Sequence, residues 1–489
     1  MSNLNRYTLF FLFVVAVNSS GFCVSNSLAE ERPNIVYIMA NDLGWRDLGV
    51  HGGRLKTPNI DRLSNSGARL EGFYTTPYSS SARAALMTGR YPYRFGLQMM
   101  SILPWSKYGI PDDERLLPQA LNLAGYRTAM FGSWLLGHAD RKFLPTQKGF
   151  DYFYGHLTQI GDHFEKINSI GQMDWFEGEK QIDTEGYATD LIAEKTSKFI
   201  SQHDFSKPLF AMVSFPAPAS PIQAPPELIE FVEKAIDSYN IFVGEEAKVT
   251  NLIDKTYLAM VIQLDRGIGE IIDALEEKGV RENTIIVFHS DNGGAVKRKH
   301  RSGDGDVSRT ASDNGPFRSG SGSYYEGGVC VPAILSWPNK IKPIISTDRI
   351  HVTDMYPSLL EAANSPITKD LQVKTVDGKS ILPMLLESKP NKRTKVILNV
   401  NEFGGAILVD NWKLIVRSSL PPQVELYNIG DDPSEETDIA SRYPEIVNDL
   451  NSQLIEASWE MVPSLYLEDL KKARDFETPM FWGDNPTRP

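Results

Sequence analysis

The apolar stretch Asn-Ile-Val-Tyr-Ile-Met occupies positions 34–39 and is followed, after Ala40, by the polar pair Asn41-Asp42. A short, near-continuous apolar run with polar residues directly after it is typical of a strand buried on both faces of a mostly parallel sheet. Four further segments have the same character, at residues 126–131, 209–215, 284–288 and 331–336. Helical patterns lie between these runs, at residues 117–124, 189–201 and 247–278. The alternation predicts an α/β fold in which a large, mostly parallel sheet is flanked by helices.

The C-terminal part of the chain has a different pattern. Gly405 to Val409 and Trp412 to Val416 are predicted to be hairpin strands around the turn dipeptide Asp410-Asn411, with a further short strand at 426–427. Residues 443–459 are predicted to be a helix. This pattern indicates a small C-terminal domain with an antiparallel sheet and a helix. The expected organisation is a signal peptide at residues 1–29, an α/β domain at 30–385 and the small domain at 386–489.

Composition and charge narrow the class of protein. The 489 residues are 41% hydrophobic and 23% charged, which excludes collagen-like, coiled-coil and mostly disordered chains. The formal net charge is −12, so the chain is a poor non-specific partner for nucleic acid or for an anionic membrane. A chain of this length can bury a core large enough to fold without disulfides.

The N-terminal segment predicts export. Arg6 precedes a short apolar run from Leu9 to Val17, and Ser27-Leu28-Ala29 is a small-residue cleavage site. The run is shorter than the roughly 20 apolar residues that span a bilayer, which favours a signal peptide over an N-terminal anchor. Cleavage there would remove Cys23 and leave Cys330 as the single cysteine. Beyond that site the sequence has no usable Asn-x-Ser/Thr acceptor, so the expected location is periplasmic or secreted, in a bacterium.

Oxygen-bearing side chains follow two of the predicted strands. Asn41 and Asp42 come after the first, and Asp291 and Asn292 come after the strand at 284–288. Ligands of open parallel sheets bind beyond the carboxyl ends of the strands, and oxygen ligands from two strand ends suit a hard cation such as Ca²⁺. Asp and Asn are just as typical of the turns that follow strands. From these residues alone, a cation site and a pair of ordinary turns remain equally open.

The segment Ser79-Ser80-Ser81-Ala82-Arg83 precedes a short predicted helix that ends at Gly89. Serines in this position are natural N-caps, which is a purely structural explanation. A helix N-terminus also binds anions through its free N–H groups, and Arg83 can pair with a tetrahedral oxyanion. The chain thus has a candidate oxyanion site besides its candidate cation site.

Eight motifs follow one another along the chain: Arg32-Pro33-Asn34-Ile35-Val36, Asp42-Leu43-Gly44-Trp45, Thr57-Pro58-Asn59-Ile60-Asp61-Arg62-Leu63, Ala84-Ala85-Leu86-Met87-Thr88-Gly89-Arg90, Asp291-Asn292-Gly293-Gly294, Tyr325-Glu326-Gly327-Gly328, Trp412-Lys413-Leu414 and Leu426-Tyr427. This ordered series resembles the sulfatase family of the alkaline-phosphatase superfamily, and most closely its arylsulfatase branch. The resemblance covers nearly all of the chain after the predicted signal peptide. It implies a large α/β domain with a small C-terminal domain, and the hydrolysis of sulfate esters.

The resemblance also implies the chemistry of the site. The family nucleophile is a formylglycine hydrate made from Cys or Ser, and its motif falls here on Ser79, Ser81 and Arg83, with Ser81 in place of the family's Pro or Ala. A calcium ion orients the sulfate in the family, and its ligand positions fall here on Asn41, Asp42, Asp291 and Asn292. Two Lys, two His and the motif Arg neutralise the sulfate and protonate the leaving oxygen. The implied ligand is a sulfated small molecule or glycan.

Several of these positions depart from the family pattern. The two lysine positions fall on Ser133 and Ser321, and the two histidine positions fall on Leu135 and Ala219. One calcium-ligand Asp position is Asn41. A serine hydroxyl carries no charge, and Leu and Ala have no titratable proton. The sequence therefore predicts a degenerate sulfatase with little or no turnover and weak calcium binding.

Two alternatives remain open. The first is an active arylsulfatase-type hydrolase, with formylglycine made from Ser79 and charge supplied by other donors such as the basic cluster at 297–301. That cluster also has a simpler interpretation, a solvated surface loop. The second alternative is another hydrolase of the superfamily that uses unmodified Ser79 as a metal-activated alkoxide.

Overall fold

The computed structural model describes residues 32–238, 252–295, 312–365, 374–391 and 393–472, so the predicted signal peptide and the basic cluster lie outside it. The strands within these ranges are β1 (Asn34–Asn41), β2 (Ala68–Leu70), β3 (Phe73–Tyr74), β4 (Arg127–Ser133), β5 (Tyr152–His156), β6 (Phe176–Glu177), β7 (Lys180–Gln181), β8 (Leu209–Pro218), β9 (Thr284–Ser290), β10 (Ala333–Ser336), β11 (Ile344–Ser346), β12 (Ile350–His351), β13 (Lys395–Asn401), β14 (Gly404–Val409), β15 (Trp412–Arg417) and β16 (Gln423–Asn428). The α-helices there are α1 (Pro58–Asn65), α2 (Ser79–Thr88), α3 (Leu117–Leu123), α4 (Ala188–Gln202), α5 (Pro226–Ser238), α6 (Leu252–Glu277), α7 (Glu326–Val329), α8 (Met355–Ala362), α9 (Leu382–Glu387), α10 (Pro444–Ser458) and α11 (Leu465–Lys472).

The main sheet of the described chain has the strand order β11-β2-β10-β9-β1-β8-β4-β5-β6-β7. Its central strands β9, β1, β8 and β4 are parallel neighbours, which confirms the prediction made from their apolar runs. The fifth run also forms a strand, but β10 pairs antiparallel with β9. A parallel partner needs a crossover back to the amino end of the sheet. The chain instead enters β10 from the carboxyl edge, where Gly293 bonds to Gly328.

Helices cover both faces of this sheet, because the side chains of β1 alternate between two apolar cores. Ile35, Tyr37 and Met39 pack in one core with residues of α2, α3 and α8. Val36 and Ile38 pack in a second core with residues of α1, α4, α5 and α6. All five side chains are fully buried, as expected for a strand that is covered on both faces.

The predicted helices agree with α3, α4 and α6 to within a few residues at each end. Gly125 follows α3 and Gly279 follows α6, both with a left-handed backbone (φ +85° and +69°). The first predicted residues of α6, 247–251, lie outside the described ranges. In the part of the chain that the structure describes, no helix has both the length and the apolar composition needed to cross a bilayer.

The C-terminal part forms a four-stranded antiparallel sheet in the order β13-β14-β15-β16. The predicted hairpin is β14–β15, with Asp410 in the left-handed conformation of a tight turn (φ +50°). One face packs against the main part of the molecule, where Leu398 and Ile415 share a core with Tyr74 and the buried, unpaired Cys330. Helix α10 covers the other face. The antiparallel sheet and helix expected from the sequence are therefore present.

Candidate functional site

Three segments of the chain meet at the carboxyl edge of the main sheet. Asn41 ends β1, Asp42 follows it with a left-handed backbone (φ +58°), Asp291 follows β9, and Ser79 is the first residue of α2. The backbone N–H of Asp42 donates to Asp291 Oδ1 (3.0 Å). Ser79 Oγ lies 3.2 Å from the side-chain amide of Asn41 and 3.2 Å from Oδ1 of Asn292. The structure thus brings the predicted cation and oxyanion positions together in one site.

The serine run does not cap the helix, so the structural alternative for these residues does not hold. Helix α2 already begins at Ser79, and its N-cap position is Tyr78, which makes no side-chain capping bond. The Ser80 hydroxyl donates to the backbone oxygen of Leu135 (2.7 Å). The Ser81 hydroxyl donates to the backbone oxygen of Leu97 (2.5 Å). These two hydrogen bonds connect the first turn of α2 to neighbouring loops. Ser79, in contrast, is partly exposed and faces the site.

Arg83 is 1% exposed and lies between α2 and the sheet edge. Its Nη1 donates to Asp291 Oδ2 (2.5 Å) and to the backbone oxygen of Ser79 (3.1 Å), and its Nη2 donates to Ser214 Oγ (2.9 Å). The positive charge is therefore paired with a carboxylate. The attraction of Arg83 for a bound oxyanion is therefore weaker than that of an unpaired arginine, which the sequence analysis assumed.

The four candidate calcium ligands hold one another through hydrogen bonds. Asn292 Nδ2 donates to Asp42 Oδ1 (2.5 Å) and to Ser321 Oγ (3.1 Å). The Asn41 amide lies 2.7 Å from Asp291 Oδ2, to which it donates when its nitrogen faces the carboxylate. Burial, and then the negative charge of Asp291, raise the pKa of Asp42 to about 6.

The four side chains have the oxygen atoms that calcium prefers, but they are fewer than its usual number of ligands. Carboxylate and amide oxygens are the ligands that Ca²⁺ prefers, yet the ion takes about six to eight of them. Two carboxylates are present, and both already accept hydrogen bonds from the protein. Among the described residues, no group of three or more His, Cys, Asp or Glu side chains is placed to hold a metal ion.

Ser133, at the end of β4, is held by a histidine from the next strand. Ser133 and His156 are partners in the register of β4 and β5, and Ser133 Oγ lies 2.9 Å from His156 Nε2. His156 Nδ1 lies 2.7 Å from the backbone oxygen of Thr158, whose own N–H donates to Asp174 (2.9 Å). Burial lowers the pKa of His156 to about 4, so its ring is neutral at pH 7.

The other positions to which the resemblance assigns Lys or His carry no charge either. The side chains of Leu135 and Ala219 are buried. The ring of His163 lies against the backbone of Ala219, and burial lowers the pKa of His163 to about 4. Ser321 Oγ lies 3.2 Å from Asp42 Oδ1, within hydrogen-bonding distance.

Comparison with known proteins identifies the family of the chain. The family model described as Sulfatase matches residues 33–365, about two thirds of the chain. The chain belongs to the sulfatase family. A second model, described as N-sulphoglucosamine sulphohydrolase, C-terminal, matches residues 322–460. This match includes the four-stranded sheet and all of α10.

Individual relatives of this sulfatase-family chain are known as sulfatases. Arylsulfatase J of Mus musculus is 30% identical over 90% of this chain and 78% of its own length. N-acetylgalactosamine-6-sulfatase of Rattus norvegicus is 32% identical over 73% of this chain and 67% of its own length. The crystal structure of Ps i-CgsB in complex with k-i-k-neocarrahexaose has a TM-score of 0.77 and 26% identity, covering 91% of this chain and 98% of that one.

Sequence reasoning missed His156 and His163. The run Tyr-Phe-Tyr-Gly-His at 152–156 has the aromatic composition of a strand, and assigning it would have placed His156 at the same sheet edge. His163 lies in the loop beyond β5, where no local pattern indicates that it reaches Ala219.

Proposed function

We propose that this sulfatase-family protein has little or no sulfate-ester hydrolase turnover and retains its site to hold a glycan. One observation carries the proposal. At the positions where the family resemblance implies two Lys and two His, this chain has Ser133, Leu135, Ala219 and Ser321, and none of these four side chains carries a positive charge or a titratable proton near neutral pH.

The energetic consequence is large. Each hydrogen bond to a charged group contributes roughly 1.5–3 kcal/mol, and general acid–base help contributes about 10²–10⁴-fold in rate. The charge of Arg83 is shared with Asp291. A site that lacks several such groups is expected to be slower than its relatives by many orders of magnitude.

The glycan part of the proposal rests on the fold. Ps i-CgsB, which shares this fold over nearly its whole length, binds a neocarrahexaose. We propose that Asn41, Asp42, Asp291 and Asn292 bind calcium weakly, because only two of the four side chains are carboxylates. Residues 1–29 have the pattern of a signal peptide, which would bring the protein into contact with extracellular glycans.

An active enzyme is the alternative, and the placement of Ser79 favours it. This residue begins α2, is partly exposed and lies beside the candidate cation ligands, as a convertible nucleophile would. Conversion to formylglycine, with charge supplied from elsewhere, would make the protein an arylsulfatase-type sulfuric ester hydrolase.

Turnover and mass spectrometry decide between the two. The protein is expressed beside a formylglycine-generating enzyme, and the mass of the Ser79 peptide and the hydrolysis of an activated aryl sulfate are measured. We expect an unmodified serine and no turnover above a Ser79→Ala control. Robust turnover that disappears in Ser79→Ala would overturn the proposal and establish the active alternative.

A further inference from the structure

Two arginines lie over one tyrosine ring where the C-terminal sheet meets the loop at residues 318–325. The guanidinium carbon of Arg318 is 4.0 Å from the ring centroid of Tyr325, and that of Arg417, on β15, is 5.2 Å from it. The Tyr325 hydroxyl donates to Glu425 Oε2 (2.7 Å), which holds the ring in place. A guanidinium group over an aromatic ring is attracted by the negative face of the ring. Two like charges are therefore held close together.

Hydrogen bonds hold both guanidinium groups in position. Arg417 Nη1 donates to Glu425 Oε1 (2.6 Å). Arg318 Nη1 donates to the hydroxyl oxygen of Tyr427 (3.1 Å) and to the backbone oxygen of Glu435 (2.9 Å). Side chains that are already ordered lose little conformational entropy when a ligand binds, so this arrangement favours binding.

The charge of Arg318 is available to a ligand. Glu425 forms an ion pair with Arg417, whereas Arg318 has no ion-pair partner in the part of the chain that the structure describes. Arg318 is exposed, and Nη1 is its one guanidinium nitrogen that makes a hydrogen bond within those described residues. The N–H groups on Nε and Nη2 form the edge of a guanidinium group that can bind two oxygens of a carboxylate or a sulfate. The pair therefore fits an anionic group.

The loop that carries Arg318 also carries Ser321 of the candidate site. Ser321 Oγ lies 3.2 Å from Asp42 Oδ1, and the N–H of Gly322 donates to the backbone oxygen of Pro77 (3.0 Å), just before α2. Because a chain extends at most about 3.6 Å per residue, the Cα atom of Arg318 lies within roughly 11 Å of that of Ser321. A ligand of more than one sugar unit that occupies the candidate site can therefore reach the arginine pair.

We propose that Arg318 and Arg417 form a subsite for an anionic group on a sugar unit next to the one that occupies the candidate site. The inference rests on the proposed glycan-binding role and names the class of glycan, an oligosaccharide that carries negative charge on that neighbouring unit. A uronate carboxylate and a sulfate ester share the required chemistry, and the experiment separates them.

A matched panel of glycans tests this. Chondroitin sulfate and heparin oligosaccharides are each compared by titration calorimetry with three chemically altered forms: desulfated, carboxyl-reduced, and both. The first form keeps the carboxylate, the second keeps the sulfate, and the third is without both charges. We expect at least one anionic form to bind about tenfold or more tightly than its uncharged counterpart. Absence of binding across the panel would overturn the proposed function and the inference together.

Single substitutions assign the charge preference to the subsite. Arg318→Gln should weaken binding of the preferred anionic form about tenfold and leave the uncharged form unaffected. Arg318→Lys keeps the charge without the two-pronged geometry and should cause a smaller loss. Arg442→Gln removes the same charge at an exposed position between β16 and α10 and should stay within about twofold of the parent. Thermal unfolding of each variant checks that the fold is intact.

Two results would overturn the subsite and leave glycan binding intact. In the first, the parent binds glycans, but Arg318→Gln binds the anionic forms as tightly as the parent does, which would mean that the arginine pair has only a structural role. In the second, Arg318→Gln and Arg442→Gln weaken binding equally, which would mean that overall charge sets the preference.

Discussion

At the scale of single residues, two histidines change what the site would need to become active. His156 holds Ser133, and His163 lies against Ala219, so two of the replaced positions have a new neighbour. Restoring the family's Lys and His at Ser133 and Ala219 would place each new side chain against one of these rings. Under the proposed degenerate site, single substitutions to Lys or His at these two positions are therefore expected to clash with their surroundings.

Ser133→Lys is expected to destabilise the fold and to restore no activity. The new ammonium would be buried between the neutral ring of His156 and the cation Arg83, which costs on the order of 3 kcal/mol. Urea unfolding measures the loss. In the double variant Ser133→Lys/His156→Ala, the removed ring makes room, and part of the lost stability should return. A Ser133→Lys variant as stable as the parent would contradict the packing described for His156.

Calcium affinity should be weak and should rise when one carboxylate is returned. Asn41 supplies a neutral oxygen where a carboxylate would add charge, and affinity follows the number of charged ligands. Asn41→Asp is therefore expected to bind calcium about tenfold or more tightly, measured by calorimetric titration. Asn364→Asp makes the same charge change at an exposed residue and should have no effect. Sub-micromolar binding by the parent protein would show that Asn41 does not weaken the site.

The sequence predicts which polar residues lie at the strand ends, but it does not predict the hydrogen bonds between them. Asp42 and Asp291 follow apolar runs, and parallel strands bring such residues to one edge. The orientation of the Asn292 amide toward Asp42 depends on contacts between segments 250 positions apart in the chain. The start of α2 at Ser79, and the hydrogen bond from the Ser80 hydroxyl to the distant Leu135, could not be predicted for a similar reason.

At the scale of elements, a buried ion cluster joins the C-terminal sheet to the main part of the molecule. Lys413 on β15 lies 2.9 Å from Glu326 at the start of α7 and 2.8 Å from Glu435, and all three side chains are nearly or fully buried. Burial opposes the charge of Lys413, but the two carboxylates outweigh it and raise its pKa. The cluster holds strand and helix together through charge that water does not screen.

Lys413→Met should destabilise the protein strongly. Met has a similar volume but leaves Glu326 and Glu435 buried without their cation, a loss of about 3–5 kcal/mol. The change should appear as a lower urea midpoint. Lys395→Met, at an exposed position of β13, removes the same charge and should stay within about 0.5 kcal/mol of the parent. Equal effects of the two substitutions would mean that the cluster contributes little.

Elements with strong periodicity could be predicted from the sequence, whereas short edge elements could not. The buried runs of β1, β8 and β9 have no other stable environment than the centre of a sheet. The short strands β6 and β7 have two residues each, too few for any alternation to be visible. The antiparallel direction of β10 depends on the path of the chain around the site, which is a tertiary property.

At the scale of the whole molecule, buried titratable groups act on stability in opposite directions. Burial lowers the pKa of His138, His156, His163 and His289 to about 4. Unfolding exposes these rings, which then take up protons below about pH 6.5, so their contribution to stability falls as the pH drops from about 6.5 to 4. Burial raises the pKa of Asp47, Asp174 and Asp265 to about 6. Their contribution falls instead as the pH rises from about 4 to 6.

The buried histidines and the buried aspartates change stability with pH in opposite directions. The contribution of one group is therefore measured best as the difference in unfolding free energy between the parent protein and a variant that lacks that group. His138 suits this comparison, since it is 1% exposed and its ring bonds to the backbone oxygen of Pro104 (2.8 Å). His138→Gln keeps an N–H donor and does not titrate. Relative to this variant, the parent should lose up to about 3 kcal/mol of unfolding free energy between pH 6.5 and pH 4. Urea unfolding of both proteins across that range measures the difference. A constant difference would mean that His138 titrates in the folded protein as it does in the unfolded chain.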